Sequence, residues 1–307
     1  MPVSILKRFG RSVVVLAWGM TVMATTATAS EPPRESGDGV GLQIDDFIGT
    51  VRIVKNDVNA VSVVAVAEGN PALGRMLVEE TAASGLRVRG MPAPIAMNCM
   101  RTNGVLSIAF DDGPPHPITD FPSIIVAVPP SSDVKMTLRA GDAEVSETEN
   151  LEILAGGCAS IVADKVKDTL RLTTTGSARL TIDGTRRADI DASNGGQIRI
   201  SKVDWLLSAC LGHASKLSSD KVLGAVHVFM SGTSRATLPD VDLKELTAEL
   251  DGASSLDVTG NASTSRIAIG AAARAQVSGG VALDDVRLSR AGRLIVDGKR
   301  WKGMAHD

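Results

Sequence analysis

The 307-residue chain has no tyrosine and only 3 Trp, 5 Phe and 4 His. So few rings exclude a groove paved with aromatic side chains, the usual floor for stacked sugars or splayed bases. Cysteine is scarce as well, and an odd count of 3 is no disulfide framework. Cys99, Cys158 and Cys210 are not spaced as a zinc site, so buried or idle thiols are the plain expectation. Cys99 with Cys158 is the pair to join if one forms. After the first thirty residues no long apolar run occurs, and no stable membrane span is expected there. Helical periodicity is nearly missing too; residues 71–83 are the one candidate, as a loop or a single short helix.

The first residues read as an export signal. Lys7, Arg8 and Arg11 precede an apolar stretch over 13–24, followed by Ala27-Thr28-Ala29, which predicts a signal peptide over 1–29. Residues 30–39 are Pro, Gly and charge without periodicity, a flexible linker. The mature chain is then exported, either periplasmic or secreted to the cell surface. Losing the leader leaves 29 Lys+Arg against 35 Asp+Glu, a net charge of −6, which disfavours a nucleic-acid partner.

Residues 40–130 hold short β-like runs at 50–54, 61–66, 86–88, 105–110 and 123–128, bounded by Gly, Pro, Asn or Asp, and form an N-terminal β segment. Over 131–307 a unit of small, polar and apolar residue recurs nine times. Its small residues are Ala143, Ala159, Ala178, Gly196, Ser215, Ser234, Ser254, Ala273 and Gly292, most often 19 apart. Two residues later stand Val145, Ile161, Leu180, Ile198, Leu217, Ala236, Leu256, Ala275 and Leu294, all apolar. Six residues before the small residue the column is apolar except at Thr137; four after it, Glu147 and Ser219 are the exceptions. Two before it, Gly or Asn recurs, as at Gly157, Asn194 and Gly232.

Alternation at spacing two predicts strands with one face buried, and recurrence at nineteen places each strand beside its counterpart in the next coil. The fold predicted is all-β, a parallel β-solenoid of roughly 19-residue coils. The N-terminal segment starts or caps the stack. The competing β-sandwich would instead show turns every 8–12 residues or so.

The stretch 44–54 (IDDFIGTVRIV), then 86–88, 105–110 and 124–130 (IIVAVPP), leads into 138–145 (LRAGDAEV) and the ladder. With 172–182 (LTTTGSARLTI) and 250–258 (LDGASSLDV), it resembles the head GIN domain of autotransporter adhesins and related adhesin domains, over nearly all of the mature chain. The resemblance implies an exported β-helical protein of the bacterial cell envelope. Amphipathic barrel strands of a self-transporting adhesin do not follow the repeat.

Residue types that carry catalysis are thinly spread. His116 lies in a Pro-rich loop, His213 at a predicted corner, His227 on the predicted outer face and His306 near the end, and no nucleophile motif accompanies them. Carboxylates pair at Asp45-Asp46, Asp111-Asp112, Asp189/Asp191 and Asp284-Asp285, all readable as solvated turns. No catalytic residue, metal ligand or cofactor is predicted, so the chain is read as no enzyme; the alternative is a polysaccharide-active β-helix, a lyase or glycosidase.

One outward column stands apart. The residue after each small residue reads Glu144, Ser160, Arg179, Gln197, Lys216, Arg235, Ser255, Arg274 and Arg293. In a solenoid this becomes a cationic stripe, with Lys216 above Arg235 and Arg274 above Arg293. Arg179, Lys216, Arg235, Arg274 and Arg293 are therefore the candidate residues for an acidic polysaccharide at the cell surface, unless the stripe merely keeps sheets apart. The function predicted is an adhesin-like binding or structural module, or an assembly partner in the envelope. A homo-oligomer through terminal coils, over 287–301, is a further expectation.

Overall fold

The computed structural model describes residues 41–73, 75–80, 85–90, 97–111 and 113–302. The expected signal peptide over 1–29 and linker over 30–39, with Asp112 and His306, lie outside the described residues.

The described chain enters as β1 (Gly41–Lys55), followed by β2 (Ser62–Ala67), β3 (Met76–Glu80) and β4 (Leu86–Gly90). A small separate sheet comes next, from β5 (Met97–Thr102), β6 (Val105–Phe110) and β7 (His116–Pro117), then a 3-10 turn at Ile118–Asp120 and β8 (Ser123–Val128). The coils run through β9 (Asp133–Val145), β10 (Asn150–Ala155), β11 (Ser160–Thr174), β12 (Arg179–Ala192), β13 (Gln197–Leu211) and β14 (Lys216–Met230). β15 (Arg235–Leu250) and β16 (Ser255–Ile269) continue them. The last coil is broken into β17 (Arg274–Ser278), β18 (Asp285–Leu288) and β19 (Arg293–Val296), with β20 (Lys299–Arg300) beside it.

The chain is a parallel β-solenoid of about nine coils spaced about 19 residues apart. Register shows why the repeat is needed. Leu151 stands beside Leu170, then Ala188, Leu207, Val226 and Leu246, each one coil further on. A strand exposes alternate residues, so no coil can bury its apolar side alone, and stacking joins these sides into continuous inner rows. Leu180, Ile198 and Leu217 lie in one such row at 2%, 3% and 2% exposure.

Each coil has three short faces. The first holds 160–163 and its counterparts at 179–182, 197–200, 216–219, 235–238, 255–258, 274–277 and 293–296. The second is brief, centred on the row Val166, Thr185, Val203 and Val222. The third holds 170–174 and its counterparts. Between third and first face the chain turns sharply, and Gly157, Asn194, His213, Gly232, Gly252 and Ala271 take the left-handed conformation there. The recurrent Gly or Asn thus marks a corner.

The first repeat is out of the register that small residues suggest. Ala143 stands beside Ile161 and Asp142 beside Ser160, so Asp142 heads the outward column in place of Glu144. The cause is a shorter corner. From Ile153 to Ile161 the chain spends eight residues, whereas their neighbours Met136 and Ala143 are seven apart. With that shift the interior exceptions vanish: buried Met136 replaces Thr137, and buried Val145 replaces Glu147. Ser219 does sit in the interior row, its hydroxyl donating to the Lys221 carbonyl.

The start of the stack is not threaded in chain order. β1 pairs in parallel with β9 on one edge and with β4 and β8 on the other, although β4 and β8 lie between them in sequence. The chain therefore lays β1 down, builds the next layer above it, and returns below it. On top, β2 runs antiparallel to β8 and β3 antiparallel to β4. Among the described residues of 71–83 stands β3 and no helix; its pairing with β4 decides the conformation, as is common for short strands.

Leu106 and Ile108 of the small sheet, with Ile118 and Phe121 in and after the 3-10 turn, pack against Ile48 and Ala140, a second core at the corner of β1 and β9. Cys99 on β5 and Cys158 at the next corner form a disulfide, so these thiols are not idle. Spacing alone does not reveal it, because docking of β5 is what brings the two together. Closing a 59-residue separation stabilises by about 4 kcal/mol on the chain-entropy account.

Candidate functional site

Outward columns follow from the same register. Arg179 neighbours Gln197, which neighbours Lys216, then Arg235, Ser255, Arg274 and Arg293, one residue per coil along the first face. All five cations are exposed. At about 4.8 Å per coil, the stripe runs roughly 29 Å from Arg179 to Arg293.

Charge pairing sets this column apart. Among the described residues Arg179, Lys216, Arg235, Arg274 and Arg293 make no ion pair, whereas Arg52, Lys135, Arg186, Lys202, Lys221 and Arg266 on other columns each hold a carboxylate. Arg274 donates to the Gln276 side chain at 2.7 Å. At the head of the column Asp142 is taken by Arg101 of the small sheet at 2.6 Å. The acidic end is thus neutralised and the basic run left open.

Arg179, Lys216 and Arg235 border a shallow depression of about 350 Å³ on the first face, with Thr181, Gln197, Ser218 and Thr237 supplying polar groups. Arg199 joins them and was not a candidate from the sequence. It stands two residues beyond Gln197, in a column that mixes Glu144, Thr181, Ser218 and Asp257 and so carries no charge signal. The available signal was alternation: residues two apart on a strand share a side, so the two outward columns have to be read together. Arg199 is the one cation of the depression with a carboxylate, Asp220 at 3.0 Å.

The remaining candidates separate. His213 is at a left-handed corner, His227 lies on the third face, and His116 faces Asp120 at 3.9 Å. Asp46 pairs with Arg139, Asp284 accepts the Ser265 amide and Asp285 pairs with Arg287. Burial would raise the Asp45 carboxyl, but hydrogen bonds from Gln43 and Arg87, with the charges of Arg87 and Arg89, hold it below the usual carboxylate range. Asp111 occupies a turn with positive φ. Asp189 and Asp191 share an outward side of β12, Asp189 beside Arg171 and Asp191 beside Cys210. No group of three or more His, Cys, Asp and Glu among the described residues is arranged to hold a metal.

A second depression of about 550 Å³ lies on the third face, lined by Cys210 and Phe229 together with Asp191, Glu249 and Asp251. Cys210 is exposed yet poorly activated. Partial burial and the nearby Asp191 carboxylate both push its thiol up, because each disfavours the thiolate. Alkylation of Cys210 by iodoacetamide is therefore expected to be slow at pH 7 and to accelerate only above the ordinary thiol range. Asp191→Asn shifts that profile to lower pH; mass spectrometry of the labelled chain across pH checks both.

Compared with family models, curated proteins and solved structures, the chain matches none. No helix among the described residues is long and apolar enough to cross a membrane.

Proposed function

We propose that this chain is an exported, non-enzymatic protein of the cell envelope that holds an extended anionic glycan along its first face. The observation that carries the reading is the set of unpaired cations: Arg179, Lys216 and Arg235 open onto one depression, and Arg274 and Arg293 continue their column. Intervals between successive cations alternate between two coils and one, about 9.6 and about 4.8 Å. A regular row of this kind suits a linear polymer with evenly spaced carboxylates or sulfates better than a compact anion. Gln197, Thr181 and Thr237 add donors and acceptors for hydroxyl groups.

The likeness of 250–258 and 172–182 to GIN-domain adhesins supports an envelope role, and the leader-like residues 1–29 support export. The Cys99–Cys158 disulfide agrees with an oxidising compartment.

Binding of heparin and polygalacturonate, measured by calorimetry beside neutral dextran, tests the reading. The polyanions are expected to bind and the dextran not to, with affinity falling by about tenfold or more between about 50 and about 300 mM salt. Polymer length is expected to stay unchanged after prolonged incubation. No binding to either polyanion at low salt removes the proposal, and shortened polymer replaces it with polysaccharide cleavage.

A further inference from the structure

The inner rows of a solenoid have to stop somewhere, and the two ends of this one stop differently. At the far end β20 pairs antiparallel with β19 and carries Lys299 and Arg300, charges that oppose addition of another strand. At the near end the outermost strand of the first face is β2, which among the described residues pairs with β8 alone. Its sequence, SVVAVA, has no charge and no proline, and every residue of it is exposed. Val63 and Val66 stand opposite the buried Val126 and Ile124, so they extend the interior rows by one further layer. There the rows end open, with Val63 at 36% and Val66 at 47% exposure. A register shift between Val63 and Ala65 leaves Val64 out of the pairing, at 60% exposure. The other strand of this cap, β3, ends in Glu79–Glu80 and lacks the same character.

We propose that β2 is the seam of a two-fold dimer in which the edge of β2 pairs antiparallel with β2 of a second copy of this chain. The occupant has to supply a short strand with apolar inward residues, as Val63 and Val66 are in β2, and with no charge of its own that opposes the contact. β2 meets both conditions, and an antiparallel strand pair is self-complementary about a two-fold axis. The interior rows then run from one copy into the other. Each copy spends the uncharged edge of β2 in the contact, so pairing through this strand closes at two. β2 runs antiparallel to its own stack, which turns the growing parallel direction into one that only a reversed partner continues. The inference uses the fold alone and is independent of glycan binding.

Sedimentation of the purified full chain, from about 1 to about 100 μM, tests it. A dimer is expected, and Val66→Lys, which places a charge in the shared interior row, is expected to weaken it at least about 100-fold. Val64→Lys, on the bulge, provides a second variant. Both positions are exposed in one copy, so melting temperatures are expected to match the parent's at dilutions where the parent is itself monomeric, and hydrogen exchange over β2 is expected to speed up when the dimer is lost. A monomer at all concentrations overturns the proposal, and a monomer with β2 amides protected from exchange shows that another segment covers the edge. A dimer indifferent to both lysines, or one dissolved only by Lys299→Glu/Arg300→Glu, overturns it as well.

Discussion

Replacing Arg179, Lys216 and Arg235 together by glutamate is expected to lower heparin or polygalacturonate affinity by at least about 100-fold while leaving the fold intact. The arithmetic is electrostatic: three favourable charges are removed and three opposing ones installed beside a polymer that samples all of them at once. Stability is spared because none of the three has an ion-pair partner among the described residues to strand. Lys216 and Arg235 even stand side by side, a like-charge contact that costs from tenths of a kcal/mol to about 1. Glutamates repeat that repulsion with opposite sign, so the melting temperature is expected to move little. Arg266→Glu, which loses a pair with Glu245 on another face, serves as a control and is expected to keep binding. Equal loss in the control would reduce the effect to net charge, and unchanged binding in the triple variant would take the stripe out of the mechanism.

How far the sequence reaches depends on whether the information is local to a coil. The interior row Ile153, Leu172, Ile190, Ala209, Val228, Ala248, Ile267 and Val286 is legible because each residue repeats one coil away and each must avoid water. The mixed-sign column one residue earlier, with Arg171 beside Asp189, follows from the same register. Threading of β1 beneath β4 and β8 is not legible, since its pairs with β4, β8 and β9 span segments of different lengths that share no period. The slip at Ala143 has a local cause that misleads: Gly141 is also small, and only the shorter corner shows which of the two faces Ala159's coil. Disulfide pairing and the Arg101–Asp142 contact depend on where the small sheet docks, which no strand propensity encodes. Part of the stripe was visible as a column, but the depression needed Arg199, because a face is a product of two columns and the second carries no bias of its own.

Gly141→Val is expected to be among the most damaging single substitutions at the start of the stack, lowering the melting temperature by roughly 10 °C or more. Two effects combine there. Gly141 has φ of 137° and its neighbour one layer up, Gly49, has φ of 143°, a region that side-chain-bearing residues rarely occupy. A Cβ on Gly141 would also run into the Gly49 carbonyl oxygen, which is backbone and cannot swing aside. The corner that shortens β1 and β9 by one residue relative to later coils is thus built from two glycines in van der Waals register. Forcing it apart opens Val51 from Ala143 and Ile53 from Val145, on the layer that joins the N-terminal strands to the coils. Gly104→Ala separates the two effects, since Gly104 also has positive φ, 83°, but nothing lies within 4 Å of its added Cβ. That control is expected to cost only about 1 kcal/mol. Gly184→Ala, with ordinary φ and its nearest contact at 3.5 Å, is expected to be close to neutral. Thermal melts of the three variants give the order; Gly141→Val no worse than Gly104→Ala would mean that β1 and β9 do not meet backbone to backbone at this corner, and the layer order drawn from their register would have to be rebuilt.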